Sequence, residues 1–534
     1  MLSRFPLARR QVATLGAGIA VTLAARASAT EAATFIDPAL PPPVTPGVPV
    51  PPGQIDHAIA RLDGLAEDLL RATDIPGLAV AVVRDGETVY AKGFGVRKLG
   101  QPALVDRDTV FQLASLSKSV SATVVARQIG LGGVTWQTPV VDHLPWFALS
   151  GEWVTRHVTI GDMFAHRSGL PDHAGDDLED LGYNRREVLE RLRWLPLGAF
   201  RDDYAYTNFG LTAAAEAVAA AAGTDWATLS EQAIYRPLGM SSASSRFQDF
   251  EARPNRAAGH VRAGERWEAR YRRQPDAQSP AGGMSASIGD MAKWMAMVVQ
   301  GGRHGGEVVV AREALLPALT AQVISDHGAS PAARPGLYGF GFGVGTQPSG
   351  RVTISHSGAF ALGNATNFML IPSLGLGIAV LSNAAPVGAV EALSASFADL
   401  VQFGVVTRDW LTGYGKLTAG VTAPFGSRSG KAGPPSPSAA ADLQDYVGIY
   451  DNEYYGPATI LRSNAGLALK IGPEGSQYPL RHWDGPVFVY TPTGENAPDG
   501  SVSAVTFAAG PAGRASALAI EFYANSGRGE FIRH

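Results

Sequence analysis

Ser115-Leu116-Ser117-Lys118 sets a hydroxyl and an amine three residues apart at the start of an apolar run. Positions i and i+3 share one face of a helix, so the Lys118 amine reaches toward the Ser115 hydroxyl while Val120, Val124, Val125 and Ile129 are free to be buried. A lysine taken out of water loses the solvation of its charge, its pKa falls, and the neutral amine becomes a usable base. The stretch reads as an amine-activated serine nucleophile on a helix running from Ser115 to Gly130.

It is the chain's one S-x-x-K, and two further elements follow it in order, Tyr206-Thr207-Asn208 and His356-Ser357-Gly358. Each has decoys. Tyr450-Asp451-Asn452 and Tyr523-Ala524-Asn525 repeat Y-x-N, and His173-Ala174-Gly175 and His304-Gly305-Gly306 repeat H-x-G. Context chooses between them. Tyr206 lies between the polar loop Arg201-Asp202-Asp203 and an alanine-rich helix from Leu211 to Ala222, a junction where side chains face a cleft. His173 precedes Tyr206, the wrong order, and His304 sits in a glycine-rich loop tip.

The order S-x-x-K, Y-x-N, H-x-G resembles the serine β-lactamase and penicillin-binding-protein superfamily, in the branch related to class C β-lactamases. His166-Arg167-Ser168-Gly169-Leu170-Pro171, Tyr235-Arg236-Pro237-Leu238-Gly239-Met240 and Ala281-Gly282-Gly283-Met284-Ser285 look like structural signatures of that branch, and the likeness covers about residues 55 to 400. It implies that Ser115 attacks a carbonyl to give an acyl-enzyme that water hydrolyses. Lys118 would be the activating base and Tyr206 the group that relays the proton, donating to the leaving group and later serving as base toward water. Asn208 would hold a substrate amide. The oxyanion would sit between the backbone N–H groups of Ser115 and Ala359, with Gly358 allowing the close approach of its strand. His356 departs from the lysine usual there. A histidine with a reference pKa of about 6.5 is mostly neutral at pH 7 and lacks the charge that binds a substrate carboxylate. That argues against strong β-lactamase or carboxypeptidase activity and toward relatives that cleave small peptides or esters.

The rest of the chain bounds this reading. At 534 residues it is long enough for two or three domains, and 46% hydrophobic residues allow a large core. A net charge of −4 without a basic cluster argues against nucleic-acid partners. Cysteine is absent, which excludes disulfides and thiol catalysis. No H-E-x-x-H, phosphate-cradling loop or G-x-S-x-G elbow occurs, so no metal or other cofactor is expected. His166, His173, Asp172 and Asp176 complete no tetrahedral ligand spacing and read as a loop at the cleft mouth. Trp146, Phe147, Trp194, Phe200 and Tyr204 are candidates for a pocket lining, with the core as the alternative.

Arg4, Arg9 and Arg10 precede an apolar run from Val12 to Ala25 and the small residues Ala27-Ser28-Ala29. Residues 1–29 therefore read as a secretory signal, with Arg9-Arg10 hinting at twin-arginine export. The protein is expected to be exported, periplasmic or secreted, with no integral membrane span once the signal is removed. Residues 30–54 are proline-rich and read as an extended spacer. A hydrolase domain is expected over 55–425, of the α+β class: an antiparallel sheet flanked by helices, with a helical lobe inserted. Its sheet includes a hairpin at Leu78–Val83 and Thr88–Tyr90 and a second at 366–371 and 376–381. A Gly/Ser/Pro linker follows over 426–440. Short β-like runs over 441–534 predict a small all-β barrel, and similar lipocalin-like appendages occur on peptidases of the superfamily.

The expected activity is amide cleavage in short, linear, even D-residue-containing peptides, with ester hydrolysis or weak β-lactamase activity as alternatives. A different class, a cell-wall-peptide binder that acylates without turnover, is told apart by burst labelling.

Overall fold

Asp85 and Gly86 both adopt left-handed backbone, φ 51° and 88°, and so fold strand Gly77–Arg84 back onto Glu87–Gly95. The computed structural model describes residues 39–463 and 466–534. The expected export signal lies outside the described residues. The hairpin forms one edge of an eight-stranded sheet, entirely antiparallel, whose order is Glu87–Gly95, Gly77–Arg84, Leu376–Ser382, Asn364–Ile371, Val352–Phe360, Gly343–Thr346, Gly336–Tyr338 and Val323–Asp326.

The unbroken apolar run Leu78-Ala79-Val80-Ala81-Val82-Val83 is explained by burial on both faces, since alternate side chains point to opposite sides of a strand. Leu78, Val80 and Val82 join Ala58, Leu62, Leu69, Val390, Leu393 and Phe397 from the helices Gln54–Ala60, Leu62–Thr73 and Ala389–Phe403. Ala79, Ala81 and Val83 face the larger core, with Leu116 and Val120 of the helix Leu116–Gly130 and Trp294 of the helix Ile288–Val299. The helical lobe lies between the first two strands and the rest of the sheet in the chain.

The proline-rich segment differs from expectation over its described part. It makes a 3-10 turn at Pro42–Val44, and Gly47 N–H donates to Ser349 O at 2.8 Å, so it lies on the sheet domain instead of standing off as a polyproline rod. The Gly/Ser/Pro stretch after it in the chain is likewise fastened, with Ser427 N–H donating to Glu521 Oε1 at 2.9 Å and Ser438 N–H to Asp484 Oδ1 at 2.6 Å.

The C-terminal residues form a closed barrel of eight strands, Gly448–Asp451, Ala458–Ser463, Gly466–Ile471, Ser476–Asp484, Val487–Tyr490, Ser503–Ala509, Ala515–Ile520 and Glu530–Arg533. It docks on the helical lobe. Gly175 N–H donates to Tyr454 Oη at 2.9 Å, Tyr183 O–H to Tyr455 O at 2.8 Å, and Arg191 Nη1 to the carbonyls of Glu453 and Tyr454 at 3.0 Å each.

Candidate active site

Strand Val110–Gln112 pairs with Ser285–Ser287, and Leu113 N–H donates to Met284 O at 2.9 Å. The chain then turns through Ala114, a non-glycine residue at φ 47°, and enters the helix Leu116–Gly130 with Ser115 at its N-cap. Backbone in that region costs of order 1–3 kcal/mol and persists only where its surroundings over-determine it. Here they do. Ser117 Oγ accepts from Met284 N at 3.0 Å, Ser119 Oγ donates to Gly341 O at 2.6 Å, and Ser121 Oγ donates to Pro280 O at 2.6 Å. From Leu116 to Ala126 the helix is thus buried on all sides and its serines are satisfied, a departure from the one-faced burial read from its apolar spacing.

Lys118 is fully buried, and its Nζ lies 3.0 Å from Ser115 Oγ, 2.6 Å from Asn208 Oδ1 and 2.9 Å from Ala281 O. Burial pushes its pKa down to about 7, against the opposing pull of the Asp176 charge. A neutral amine has two N–H groups and one lone pair. Asn208 Oδ1 and Ala281 O can only accept, so the two N–H groups go to them and the lone pair is left facing the Ser115 hydroxyl.

Tyr206 O–H donates to Ser115 Oγ at 2.7 Å, and its ring lies 4.6 Å below Lys118 Nζ. Its loop is set by His166. Ala205 N–H donates to His166 O at 2.8 Å and Thr207 N–H to His166 Nδ1 at 3.2 Å. Arg167 and Arg201, at the two ends of this region, share the buried Asp162 carboxylate. Burial holds the Tyr206 hydroxyl well above its ordinary pKa, with only partial relief from the Ser115 bond. The resting tyrosine therefore carries its proton and is set to donate it to Ser115 Oγ.

Asn208 is also placed differently from the expected substrate amide. Its Oδ1 is taken by Lys118 and its Nδ2 donates to Asp176 Oδ2 at 2.9 Å, so it orients the base. Asp176 in turn accepts from His173 Nδ1 at 2.9 Å, and this bond raises His173 to about 8. His173 and Asp176 thus join the site through Asn208. Among the described residues no His, Asp and Glu cluster is arranged to hold a metal.

His356 lies on strand Val352–Phe360. Its Nδ1–H donates to Ser357 O at 2.6 Å, which leaves Nε2 to accept from Tyr338 O–H at 2.8 Å. Burial, then the Lys118 charge, push its pKa down to about 3, so it is neutral. Gly358 is where this strand meets the nucleophile. A Cβ there would lie 2.8 Å from Ser115 N, 2.5 Å from Leu113 O and 2.4 Å from Thr366 Oγ1. Pairing with Gly343–Thr346 stops at Ser355, whereas pairing with Asn364–Ile371 continues to Phe360, so the stretch holding Ser357 and Ala359 has an edge without a strand partner.

Of the five aromatic candidates, only Tyr204 reaches the site, with ring centroids 5.7 Å from His166 and 5.5 Å from Tyr338. Phe147 is core, Trp146 lies under Arg186, and Phe200 packs on Trp153. Residues the sequence reading passed over are Tyr338, Ala281 and Asp176. Ala281 was visible only as part of a signature phrase, and Asp176 only as part of a doubtful metal cluster.

The sequence model "Beta-lactamase" matches residues 62–402. The chain belongs to the β-lactamase family. A second match, "Domain of unknown function (DUF3471)", covers residues 432–529, seven of the eight barrel strands and the segment before them. Within the β-lactamase family, the chain is 25% identical over 507 residues to "Unguisins hydrolase ungD" of Aspergillus violaceofuscus, covering 87% of this chain and 89% of that one. It is 27% identical to "Esterase EstB" of Burkholderia gladioli, covering 64% and 94%. It is 22% identical to "D-alanyl-D-alanine-carboxypeptidase/endopeptidase AmpH" of Escherichia coli, covering 64% and 88%. Among solved structures, an octameric penicillin-binding protein homologue from Pyrococcus abyssi superposes with a TM-score of 0.56 at 17% identity over 89% of this chain and 100% of that one, which shows a shared fold. The β-lactamase-family fold with an appended barrel is therefore established, and homologues include a hydrolase, an esterase and a peptidase.

Proposed function

We propose that the protein is a serine hydrolase working through an acyl-enzyme, with short peptides as its substrates. The observation that carries this is the placement of one hydroxyl, Ser115 Oγ, between a base 3.0 Å away and a proton donor 2.7 Å away. Ser115 Oγ gives its proton to the Lys118 lone pair and adds to the carbonyl carbon. The oxyanion is held by the N–H groups of Ser115 and Ala359, which preorganised geometry makes worth about 10²–10³ in rate per donor. Collapse breaks the C–N bond, the leaving amine takes the Tyr206 proton, and the Lys118 ammonium refills Tyr206. Water then repeats the sequence on the acyl group, with Lys118 as the proton acceptor in place of the tyrosinate expected from the sequence.

Peptides are favoured over a carboxylate-bearing β-lactam because His356 is neutral and already engaged with Tyr338. The barrel supports short chains. A cavity of about 220 Å³ beside the site is lined by His173, Asp176 and Asp177 from the lobe and by Tyr454, Asn496 and Ser526 from the barrel. Ester hydrolysis by the same groups is the second reading, supported by the likeness to the Burkholderia esterase. The pattern of residues 1–29 supports export, which N-terminal sequencing of the mature protein tests.

The test is incubation with short L- and D-peptides, free or blocked at each end, read by mass spectrometry against Ser115→Ala. Cleavage confined to the unaltered protein is expected. Equal product from Ser115→Ala would end the mechanism. A Ser115 acyl adduct that forms without turnover would instead identify a binder.

A further inference from the structure

A hydrogen bond joins the C-terminal domain to the end of the strand Val352–Phe360. Ala361 N–H, just beyond the end of Val352–Phe360, donates to Glu495 Oε1. Glu495 lies in the loop between barrel strands Val487–Tyr490 and Ser503–Ala509. That loop is itself fixed to the lobe. Glu495 N–H and Asn496 N–H donate to the two carboxylate oxygens of Asp180 at 2.9 Å each, and Asn496 Nδ2 adds a third bond at 2.9 Å. Gly494, at φ 128°, lets the loop approach, because a Cβ there would meet Asp180 Cγ at 2.3 Å.

A second brace acts on the same strand end. The Arg273 guanidinium lies 4.9 Å from the Phe360 ring, pairs with Glu179 at 2.6 Å and sits 3.5 Å from Glu495 Oε2. Asp176, Glu179 and Asp180 belong to one short helix, Asp176–Asp180. The segment that orients Asn208 is therefore also the anchor of the barrel loop. Ala361 is two residues from Ala359, just past a strand whose pairing with Gly343–Thr346 ends at Ser355, so the Glu495 loop and Arg273 brace an end that this strand pairing does not hold.

We infer that Glu495 is a positioning residue for the reaction: the barrel's loop holds the end of the catalytic strand so that Ala359 stays beside Ser115. This gives the C-terminal domain a role in the chemistry, and it rests on the reading of Ser115 and Ala359 under the proposed function. Displacing a reacting geometry by about 1 Å can cost about 10²-fold, so loss of this bond is a rate effect before it is a binding effect.

The test uses the full-length protein and a fluorophosphonate, which phosphonylates an activated serine with loss of fluoride and places an oxygen where the oxyanion forms. Maximal labelling rate and half-saturating probe concentration are measured for the unaltered chain, Glu495→Ala, Glu495→Gln, Glu495→Asp and Arg191→Ala, with Ser115→Ala as blank and melting temperature recorded for each. Glu495→Ala is expected to lower the maximal rate about tenfold or more with the half-saturating concentration unchanged. Glu495→Gln keeps an oxygen for Ala361 N–H and should restore the rate. Arg191→Ala removes two barrel contacts distant from the strand and should leave it intact. If Glu495→Ala does not fold, Glu495→Asp, which draws the carboxylate back, is expected to show the slowing. Unaltered labelling in Glu495→Ala, equal slowing in Glu495→Gln, or equal slowing in Arg191→Ala would overturn the inference while leaving the hydrolase intact. Absence of Ser115-dependent labelling in the unaltered protein would overturn both.

Discussion

Asn208 Oδ1 accepts from Lys118 at 2.6 Å while Asn208 Nδ2 donates to Asp176 at 2.9 Å, so one amide couples the Lys118 amine to a buried carboxylate. The Asp176 charge raises the Lys118 pKa against the larger effect of burial. Asp176→Asn should therefore move the acid limb of the pH–rate profile to lower pH. A limb that stays in place would mean that Asp176 does not act on the base.

In the unaltered protein that limb belongs to Lys118 itself. The amine must be neutral to accept the Ser115 proton, and its pKa is down at about 7. Labelling or turnover should rise with pH through about 7 and then level off. Lys118→Arg, which keeps a cation but never releases it, should remove activity at every pH.

Tyr206→Phe should separate leaving groups. General acid catalysis contributes about 10²–10⁴-fold. Amide cleavage, whose amine must be protonated, should fall by that order, whereas p-nitrophenyl ester cleavage, whose leaving group departs as an anion, should fall much less. Equal losses on both would place Tyr206 in nucleophile activation alone.

Gly358→Ala should be costly for a steric reason. The new methyl would lie 2.8 Å from Ser115 N and 2.5 Å from Leu113 O, both backbone atoms that cannot turn away. The strand must retreat, and turnover should drop by about 10²-fold or more. A smaller effect on Tm than on kcat would place the damage in the site.

Stability should also depend on pH at the barrel contact. Burial pushes Asp177 up to about 7 and Glu495 up to about 8, and raises Glu179 and Asp180 as well, with Arg273 as the cation among them. Between the ordinary carboxyl range, about 4, and these values, the folded chain holds protons that the unfolded chain has released. Stability is thus full below that range and lost as pH rises through 7 to 8. Tm should fall from pH 5 to pH 8, and Glu495→Gln should flatten the fall.

The grouping of Ser115, Lys118 and Tyr206 was legible because its signals are local: S-x-x-K is a helix spacing, and Tyr206 stands at a loop–helix junction. What escaped was set by distance in the chain. Asn208 reads as a substrate ligand in the sequence, but its other end goes to Asp176, and only packing brings the two together. Strands of the sheet's far side and of the barrel lay hidden for another reason. Gly336–Tyr338 and Gly343–Thr346 are short and glycine-rich, Ser476–Asp484 carries Pro479 and buries only Leu480, and Glu530–Arg533 buries only Phe531. Such strands lack the apolar alternation on which pattern reading depends.

Leu78 pairs with Ser382, so the first hairpin of the chain acquires its sheet neighbour only after the whole helical lobe has passed. On a ribosome, Ser115, Lys118 and Tyr206 emerge well before Gly358 and its strand. On the proposed reading, the nascent chain carries Ser115 with no strand to complete its oxyanion site, and hydrolytic competence arrives late, with closure of a long-range sheet that is slow by its topology.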